Sequence, residues 1–267
     1  MKRRGAALIA TGLLLLTACG RSSPADRTLG ATQSHLDDIR SGNLSLLLLA
    51  SSLDAPEGTG AGFQVEGDFA VGEKKGSLPV ADLQSTRIIG SERRTSRFVS
   101  TGTQAYVEVD GVRTDLSESD LAGLRVRDGS SSDAGLEGLT LSRWLEDAEV
   151  APGPDVDGVA TEQVTGRADA IAILNDVIGL ADQFGAQGGV KRLEGDAADR
   201  VRRAVASAQA EVVTGKDDHL LRQAHATVDL AVTDPKVRDA LGDLAGARLV
   251  LSLKVTNLNQ PVAVAGQ

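Results

Sequence analysis

Residues 61–72, AGFQVEGDFAVG, decide the fold of this chain. In this stretch mainly apolar residues alternate with more polar ones. The mainly apolar set is Phe63, Val65, Gly67, Phe69 and Val71, and the more polar set is Gln64, Glu66, Asp68 and Ala70. Successive side chains of a β-strand point to opposite faces of its sheet, so a period of two predicts a strand with one apolar face. Gly72 then marks a turn.

The same alternation recurs along the chain. It places on one face Ala105, Val107 and Val109, then Ala224, Ala226, Val228 and Leu230, and finally Leu249, Leu251, Leu253 and Val255. Phe98 lies in a further segment of this kind, and Gly76, Gly90 and Asp110-Gly111 supply turn signals between the segments. Alternating segments with regular turns predict an antiparallel meander that is apolar on one side.

Other periodicities predict helices beside this sheet. Three- and four-residue spacing predicts helices at 28–40, from Asp169 to Ala181 with Leu174, Val177 and Ile178 among its apolar residues, and at 196–210. Short helices are predicted within 117–147, including LSRWLED around Trp144, and from Asp234 to Leu244; residues 151–158, APGPDVDG, are predicted to be a linker. The run LSLLLLAS (44–51) is predicted to be a strand buried on both faces. Strands first, helices in the middle and strands last predict an α+β fold.

The N-terminus has the features of an export signal. Lys2, Arg3 and Arg4 precede an apolar run of eleven residues, Ala6 to Leu16. A helix of that length rises about 16 Å, too short for a hydrocarbon core of about 30 Å. Residues 16–19, Leu-Thr-Ala-Cys, resemble the lipobox of bacterial lipoproteins, so we expect cleavage after residue 18 and acylation of Cys19, which is the single cysteine of the chain. We therefore predict a signal peptide at 1–18, a tether at 19–27, one domain at 28–267, and a location on the extracytoplasmic face of the cell membrane.

Charge and composition exclude some partners. Removal of residues 1–18 leaves 25 basic side chains against 37 acidic ones, a formal charge of −12. Nucleic-acid binding demands a basic surface, so we expect no nucleic-acid partner. With four Phe, one Tyr and one Trp, the chain offers few aromatic faces for sugars or nucleotides, a scarcity that codon bias in a GC-rich genome would also produce.

Several of these segments together resemble a known family. They are the lipobox, SGNLSLLLLAS, TQAYVEVDG, VDGVATEQVTG followed by a helix, and LVLSLKV. In order and spacing over roughly 28–265 they look like the LppX/LprG family of exported lipoproteins. That resemblance implies a curved antiparallel β half-barrel with helices packed in or over its concave face, similar to the LolA and LolB carriers. It also implies a hydrophobic cavity for the acyl chains of a lipid or glycolipid. This chain departs from the pattern by longer segments at 125–158 and 185–220, which would cap or fill such a cavity.

The residues expected to line the cavity are the apolar members of the predicted sheet face and of the helix after Asp169. They are Phe63, Val65, Phe69, Phe98, Val107, Val109, Leu174, Val177, Ile178, Val228, Leu249 and Leu251. The helices around Ile171–Ala181 and Val201–Ala208 are expected to form its lid. The residues alone favour packing of these faces against the helices as an ordinary core, and the resemblance shifts the balance to a cavity.

Signatures of catalysis and metal binding are weak. The histidines, His35, His219 and His225, have no metal-ligand spacing, and there is no nucleophile-elbow sequence. Asp217-Asp218-His219 is typical of a solvated turn, and Asp155 to Gly158 lacks the later ligands of a calcium loop. We expect no enzyme activity, catalytic residue, metal or cofactor. The leading hypothesis for function is a lipid carrier, and the second is a structural or regulatory lipoprotein whose filled half-barrel binds an envelope protein. An enzyme acting on lipid or peptidoglycan is the third and weakest.

Overall fold

The computed structural model describes residues 23–56, 58–72, 76–124, 136–183, 191–231 and 246–264. Cys19, the signal peptide and the helix predicted from Asp234 to Leu244 lie outside these residues. The strands are β1 Ser41–Ser52, β2 Gly60–Ala70, β3 Val80–Gly90, β4 Glu92–Thr101, β5 Ala105–Val109, β6 Val112–Asp115, β7 Leu145–Pro152, β8 Thr161–Ala168, β9 Val205–Gly215, β10 Leu221–Ala231 and β11 Gly246–Thr256. The helices are α1 Pro24–Ser34, α2 Glu118–Leu124, α3 Ala170–Gln183 and α4 Gly195–Ala204, with 3-10 turns at Leu36–Asp38, Leu136–Gly138 and Leu141–Arg143.

All eleven strands belong to one antiparallel sheet in the order β6-β5-β4-β3-β2-β1-β11-β10-β9-β8-β7. The chain builds one meander outward from β1 to β6, crosses to the other edge, and returns inward from β7 to β11, where β11 pairs with β1. The sheet is curved and unclosed, because β6 and β7 are edges that do not pair with each other. The predicted α+β half-barrel is confirmed.

Both edges carry features that discourage pairing with another chain. β6 has four residues, all exposed, among them Arg113 and Asp115. β7 has an irregularity between Glu146 and Glu149 and ends at Pro152. Short charged edges, bulges and proline all interrupt the row of backbone groups that a further strand would need.

The sheet curves around one main core. Helices α1 and α3 and the segment around Trp144 pack onto the apolar face that β1 and β8–β11 share, with Leu29, Trp144, Ile173, Val212 and Leu251 at 0–1% exposure. Leu44, Leu46 and Leu48 of β1 are buried on that face. The opposite face of β1 is only partly buried at Ser45 and Leu47, so the predicted burial on both faces holds for one face.

The first helix begins earlier than the predicted residue 28. Ser23 caps it: the Ser23 hydroxyl accepts from the Asp26 N–H at 3.0 Å, and the Asp26 carboxylate accepts from the Ser23 N–H at 2.9 Å. Pro24 at the first helical position lacks the N–H that would otherwise need a partner. The α-helix ends at Ser34, and only residues 19–22 of the predicted tether precede the cap.

The helix predicted at 196–210 is correct only as far as Ala204. From Val205 the chain is strand β9, which pairs with β8 on one side and β10 on the other. The sequence VASAQAEVV is rich in alanine, which favours helix over strand, so its local propensity points to a helix. Pairing on both sides settles the conformation as strand, so residues 205–208 belong to the sheet and not to a lid.

The prediction of a short helix through Trp144 and a linker after it is also wrong. A 3-10 turn ends at Arg143, and Leu145–Pro152 form the edge strand β7. The expected linker is the β7–β8 connection, in which Val156 and Val159 bridge across Asp157 and Gly158. Both central residues have positive φ, 52° and 75°, as a tight hairpin turn requires. The predicted turn at this position, rather than a calcium loop, agrees with the structure.

Candidate functional site

The β1 and β8–β11 half of the concave face is filled by the protein itself. Val228 and Leu251 are 0% exposed and Val177 of α3 is 6% exposed, while Leu249 is partly buried against the same cluster. These four of the predicted cavity residues therefore pack within the core. The buried face of α3 consists of Ile173, Asp176, Val177 and Leu180, and Leu174 and Ile178 are half-buried beside it.

A buried polar contact fixes α3 to this half. The Trp144 indole Nε1–H, on a side chain that is 0% exposed, donates to the Asp176 carboxylate at 2.6 Å. The same carboxylate accepts from the Thr140 N–H at 2.5 Å and from the Thr140 hydroxyl at 3.0 Å. Burial raises the pKa of Asp176 above the ordinary aspartate value, and the hydrogen bonds from Thr140 and Trp144 oppose that rise. No sequence signal reveals this contact, because an aspartate in a helix is usually solvated.

In the Asp217-Asp218-His219 cluster, structural partners hold the Asp218 carboxylate, whereas the buried His219 Nδ1 has no hydrogen-bond partner among the described residues. Asp218 accepts from the Leu220 N–H at 3.0 Å and from the guanidinium of Arg222, which is 5% exposed, at 2.6 Å. The His219 ring lies 6.2 Å from that of His35, centroid to centroid. Within the described residues, no group of three or more His, Cys, Asp or Glu side chains could hold a metal ion.

The β3–β6 half of the concave face is more open. Strand register aligns Leu44, Gly67, Leu83, Phe98, Val107 and Thr114 in one row across β1–β6. Leu83, Phe98 and Val107 are only half-buried. Gly67 leaves a gap in the row; its φ of +137° is one that residues with a Cβ rarely adopt, and a Cβ there would lie 2.0 Å from the Asp82 carbonyl oxygen. The row is apolar and reachable from outside.

A second, small cluster of apolar side chains closes one end of this open half, at the edge of the sheet where β1, β3 and β5 begin. Leu78, Ala105 and Leu121 are buried there, and Phe98 and Leu116 pack against them. Phe69 occupies the equivalent position on β2 and packs against the main core. The open half therefore has an apolar floor at this end.

Toward the β3–β4 turn the concave face becomes accessible and polar. The next row contains Val65, Ser85, Ser96, Val109 and Val112, of which Val65 is 2% exposed and Val109 48% exposed. The row beyond it aligns Leu48, Phe63, Arg87 and Arg94. Phe63 is 8% exposed, whereas both arginines are exposed. The apolar surface thus meets a pair of cations, and Ile89, which is 52% exposed, lies beyond them toward the turn.

The twelve predicted cavity residues consequently fall into two groups. Val65, Phe69, Val177, Val228, Leu249 and Leu251 lie in or against the packed core, and Phe63 lies at its border. The other residues, which remain partly or largely accessible, are Phe98, Val107, Val109, Leu174 and Ile178. Sequence periodicity assigned residues to the correct face, but it carries no information on where along that face the helices lie.

The convex face carries polar side-chain pairs together with a few buried apolar side chains such as Leu49, Ile88 and Val99. Asp82 and Arg97 form a two-point ion pair at 2.7 and 2.6 Å, and Asn43 donates to Asp68 at 2.9 Å. The Arg97 guanidinium holds the pKa of Asp82 below its usual range. An open pocket of about 660 Å³ on this face is lined mainly by such polar residues. The contrast between the faces directs attention to the concave side.

The described helices include none that is both long enough and apolar enough to cross a bilayer.

The fold and the half-open concave face define the molecule as an unclosed antiparallel half-barrel. Among solved structures it is similar to LprF from Mycobacterium bovis, with 12% identity and a TM-score of 0.46, over 91% of this chain and 97% of that one. It is also similar to the lipoprotein LppX from Mycobacterium tuberculosis, with 15% identity and a TM-score of 0.41, over 90% and 97%.

A more distant similarity is to a LolA superfamily protein from Nitrosomonas europaea, with 10% identity and a TM-score of 0.23, over 90% of this chain and 94% of that one. No protein-family profile and no curated protein sequence matches the chain.

Proposed function

We propose that this protein is a non-enzymatic lipoprotein, anchored through Cys19 on the extracytoplasmic face of a membrane, that holds acyl chains of a lipid against the open half of its sheet. Carrying the lipid between envelope layers and retaining it in place are both consistent with such a site. The anchor rests on the lipobox-like sequence before Cys19, and the ligand site rests on the geometry of β2–β6.

The observation that supports ligand binding is the half-buried row Leu83, Phe98 and Val107 on the concave side. Apolar side chains that remain accessible inside a concavity lower their free energy by contact with another apolar surface. An acyl chain supplies that surface, at about 0.8 kcal/mol for each methylene removed from water. Since no buried polar group interrupts this row, a hydrocarbon chain meets no desolvation penalty along it.

The filled half limits the size of the ligand. Trp144, Ile173 and Leu251 occupy the space that acyl chains would need next to β8–β11. We infer that the ligand lies across β2–β6, a width of about 19 Å at about 4.8 Å between neighbouring strands. This space holds fewer acyl chains than the cavity of a fully hollow half-barrel would.

Organic extraction and native mass spectrometry of the protein purified from its native host test the proposal. We expect a co-purified lipid at up to one molecule per chain, released by solvent and absent from a mock purification. Delipidated protein should regain lipid when it is incubated with an extract of the envelope. A protein that carries no lipid and takes up none from the extract would contradict the ligand part of the proposal.

Substituting Val109→Asp tests the position of the ligand. Val109 is 48% exposed, so the carboxylate should cost little folding free energy, whereas it would lie against the acyl chain and lower the bound fraction of lipid at least about tenfold. Thr95→Asp is the matched control, since Thr95 is exposed on the convex side of β4. Equal lipid content in the two variants would place the ligand elsewhere.

The packed half favours a second candidate function, a protein-interaction module. Because packed side chains fill half of the concavity, the domain presents a rigid surface even without a ligand. In that case cross-linking in intact cells should capture an envelope protein through wild type and Val109→Asp alike. A cross-link that disappears with Val109→Asp would instead tie the partner to the lipid site.

A further inference from the structure

The concave face carries two arginines that oppose each other. Arg87 of β3 and Arg94 of β4 are register partners, and both side chains are exposed. Residues directly opposite on antiparallel strands have Cβ atoms about 5 Å apart, so like charges there destabilise the sheet. The sequence separates the two by six residues around the Gly90 turn, which is why charge counts along the chain do not reveal the pairing.

Within the described residues, neither guanidinium has a carboxylate partner or another side-chain hydrogen bond. Other arginines of the same hairpin do: Arg97 binds Asp82, and Arg93 donates to the Gly58 carbonyl at 2.9 Å, both on the convex side. Glu92 is the carboxylate nearest in register, two residues along β4, and it forms no ion pair with a described residue. The pair is therefore positioned by the sheet and left without a neutralising group from that part of the chain.

Register also fixes what adjoins the pair. On one side Arg87 is the partner of Phe63, at the border of the core. Along β4, Ser96 and then Phe98 follow Arg94 on the same face, at about 7 and 14 Å. From the β3–β4 turn inward, the concave face thus presents two cations, then the polar Ser96, and then an apolar surface. An anionic lipid has its headgroup, glycerol backbone and acyl chains in the same order.

We propose that Arg87 and Arg94 bind the phosphate of an anionic lipid whose acyl chains occupy the row Leu83, Phe98 and Val107. This deepens the proposed function and rests on it. Two arginine side chains whose Cβ atoms lie about 5 Å apart can both reach one phosphate group, which accepts charge-assisted hydrogen bonds from both guanidiniums and removes their mutual repulsion. The ligand is then a phospholipid or phosphoglycolipid, and neutral lipids of the same chain length bind more weakly.

The test compares two lipids with identical acyl chains, phosphatidylglycerol and diacylglycerol, on the delipidated full-length protein in non-ionic detergent. Native mass spectrometry gives the bound fraction of each. We expect wild type to prefer phosphatidylglycerol, and Arg87→Gln/Arg94→Gln to lower its binding roughly tenfold while diacylglycerol binding stays within about twofold. Arg200→Gln/Arg203→Gln, two exposed arginines on α4, is the control with the same charge change and should bind both lipids as wild type does.

Thermal unfolding separates binding from folding. Without lipid, Arg87→Gln/Arg94→Gln should unfold no earlier than wild type, because the substitution removes a like-charge contact. With phosphatidylglycerol present, wild type should gain a higher Tm and the double variant should not. A third arm with glycerol phosphate alone should leave the wild-type Tm unchanged.

Three results would overturn the proposal in distinguishable ways. Equal binding of both lipids by wild type and the double variant removes the arginine site and leaves the acyl-chain site intact. A wild-type Tm raised by glycerol phosphate alone assigns the arginines to a soluble phosphate compound. Binding of neither lipid by wild type rejects the proposed lipid function together with the arginine site.

Discussion

Asp176→Ala is expected to lower the free energy of unfolding by about 3 kcal/mol or more, and the Tm by roughly 6–12 °C. The substitution leaves the Trp144 indole N–H and the Thr140 backbone N–H without their acceptor, and an unpaired buried donor costs about 1–3 kcal/mol. It also leaves a cavity beneath a tryptophan that is 0% exposed. Urea unfolding followed by Trp144 fluorescence measures both quantities, since Trp144 is the single tryptophan of the chain.

Asp176→Asn is the matched control, because its amide oxygen can still accept from Trp144 and Thr140. The two proteins should also differ in pH dependence. Burial raises the pKa of Asp176, so the folded state binds this proton more tightly than the unfolded chain does. The stabilisation from that proton is fully present below the ordinary aspartate pKa of about 3.9 and is lost as pH rises through the folded-state pKa. Asparagine does not titrate, so Asp176→Asn does not lose this stabilisation. As pH rises from about 3.9 through the folded-state pKa of Asp176, the free energy of unfolding of wild type should therefore fall relative to that of Asp176→Asn.

Comparing wild type with Asp176→Asn cancels the contributions of the other carboxylates to the pH dependence of the free energy of unfolding. Asp82 and Asp229 have pKa values lowered by Arg97 and Arg248, and their contributions act in the opposite direction, disappearing as pH falls. They are present in both proteins. An Asp176→Ala protein as stable as wild type would mean that the contact with Trp144 does not hold α3 in place.

Cys19→Ser is expected to move nearly all of the protein from the membrane fraction to the soluble fraction. Serine has no thiol to accept the diacylglycerol, and stable anchoring needs two or more buried acyl chains. The mature charge of −12 gives no electrostatic attraction to anionic lipid that would replace them. Fractionation with an alkaline wash and mass spectrometry of the N-terminal peptide check the result.

Ser22→Ala, three residues further on, is the control and should stay membrane-bound with an acylated N-terminus at Cys19. Retention of Cys19→Ser in the washed membrane, or a mature N-terminus other than Cys19, would contradict the proposed anchor. This outcome is independent of the ligand site, which lies in a different part of the chain.

Much of the fold could be predicted from residue patterns, because strands with one buried face alternate with a period of two. The alternation at Phe63–Phe69, at Ala105–Val109 and in both C-terminal strands corresponds to observed strands with the expected face inward. Asp110-Gly111 forms a turn with φ of 53° and 79°, as its sequence indicates. These features depend on local interactions and on burial, both of which leave a trace in sequence.

The errors share one physical cause, the pairing of distant strands. Residues 205–210 and 145–152 become strands because β8 lies between them and pairs with both. The alanine-rich segment favours helix by itself, and pairing with β8 overrides that local preference. The contact between Trp144 and Asp176 and the pairing of Arg87 with Arg94 are likewise products of the assembled sheet.

The extent of the candidate site was the hardest feature to predict. Val107 and Val228 have equivalent sequence contexts, each an apolar residue in an alternating strand. Val228 is 0% exposed under the packed half, and Val107 is half-buried on the open half. The difference comes from where α1, α3 and the Trp144 segment settle, which a strand's own sequence does not encode.

For the proposed anchor at Cys19, the position of α1 determines how the domain would stand on the bilayer. Thr28 donates to Glu162 and Thr32 to Thr214, so α1 runs beside the strand ends where β1, β8 and β10 begin. Three residues separate Ser23 from Cys19, a reach of at most about 14 Å, whereas Arg87 lies seven residues along β3 from its start, about 23 Å along the strand. An upright molecule would therefore offer its arginines to the next layer of the envelope, and collecting lipid from its own leaflet would require it to tip over.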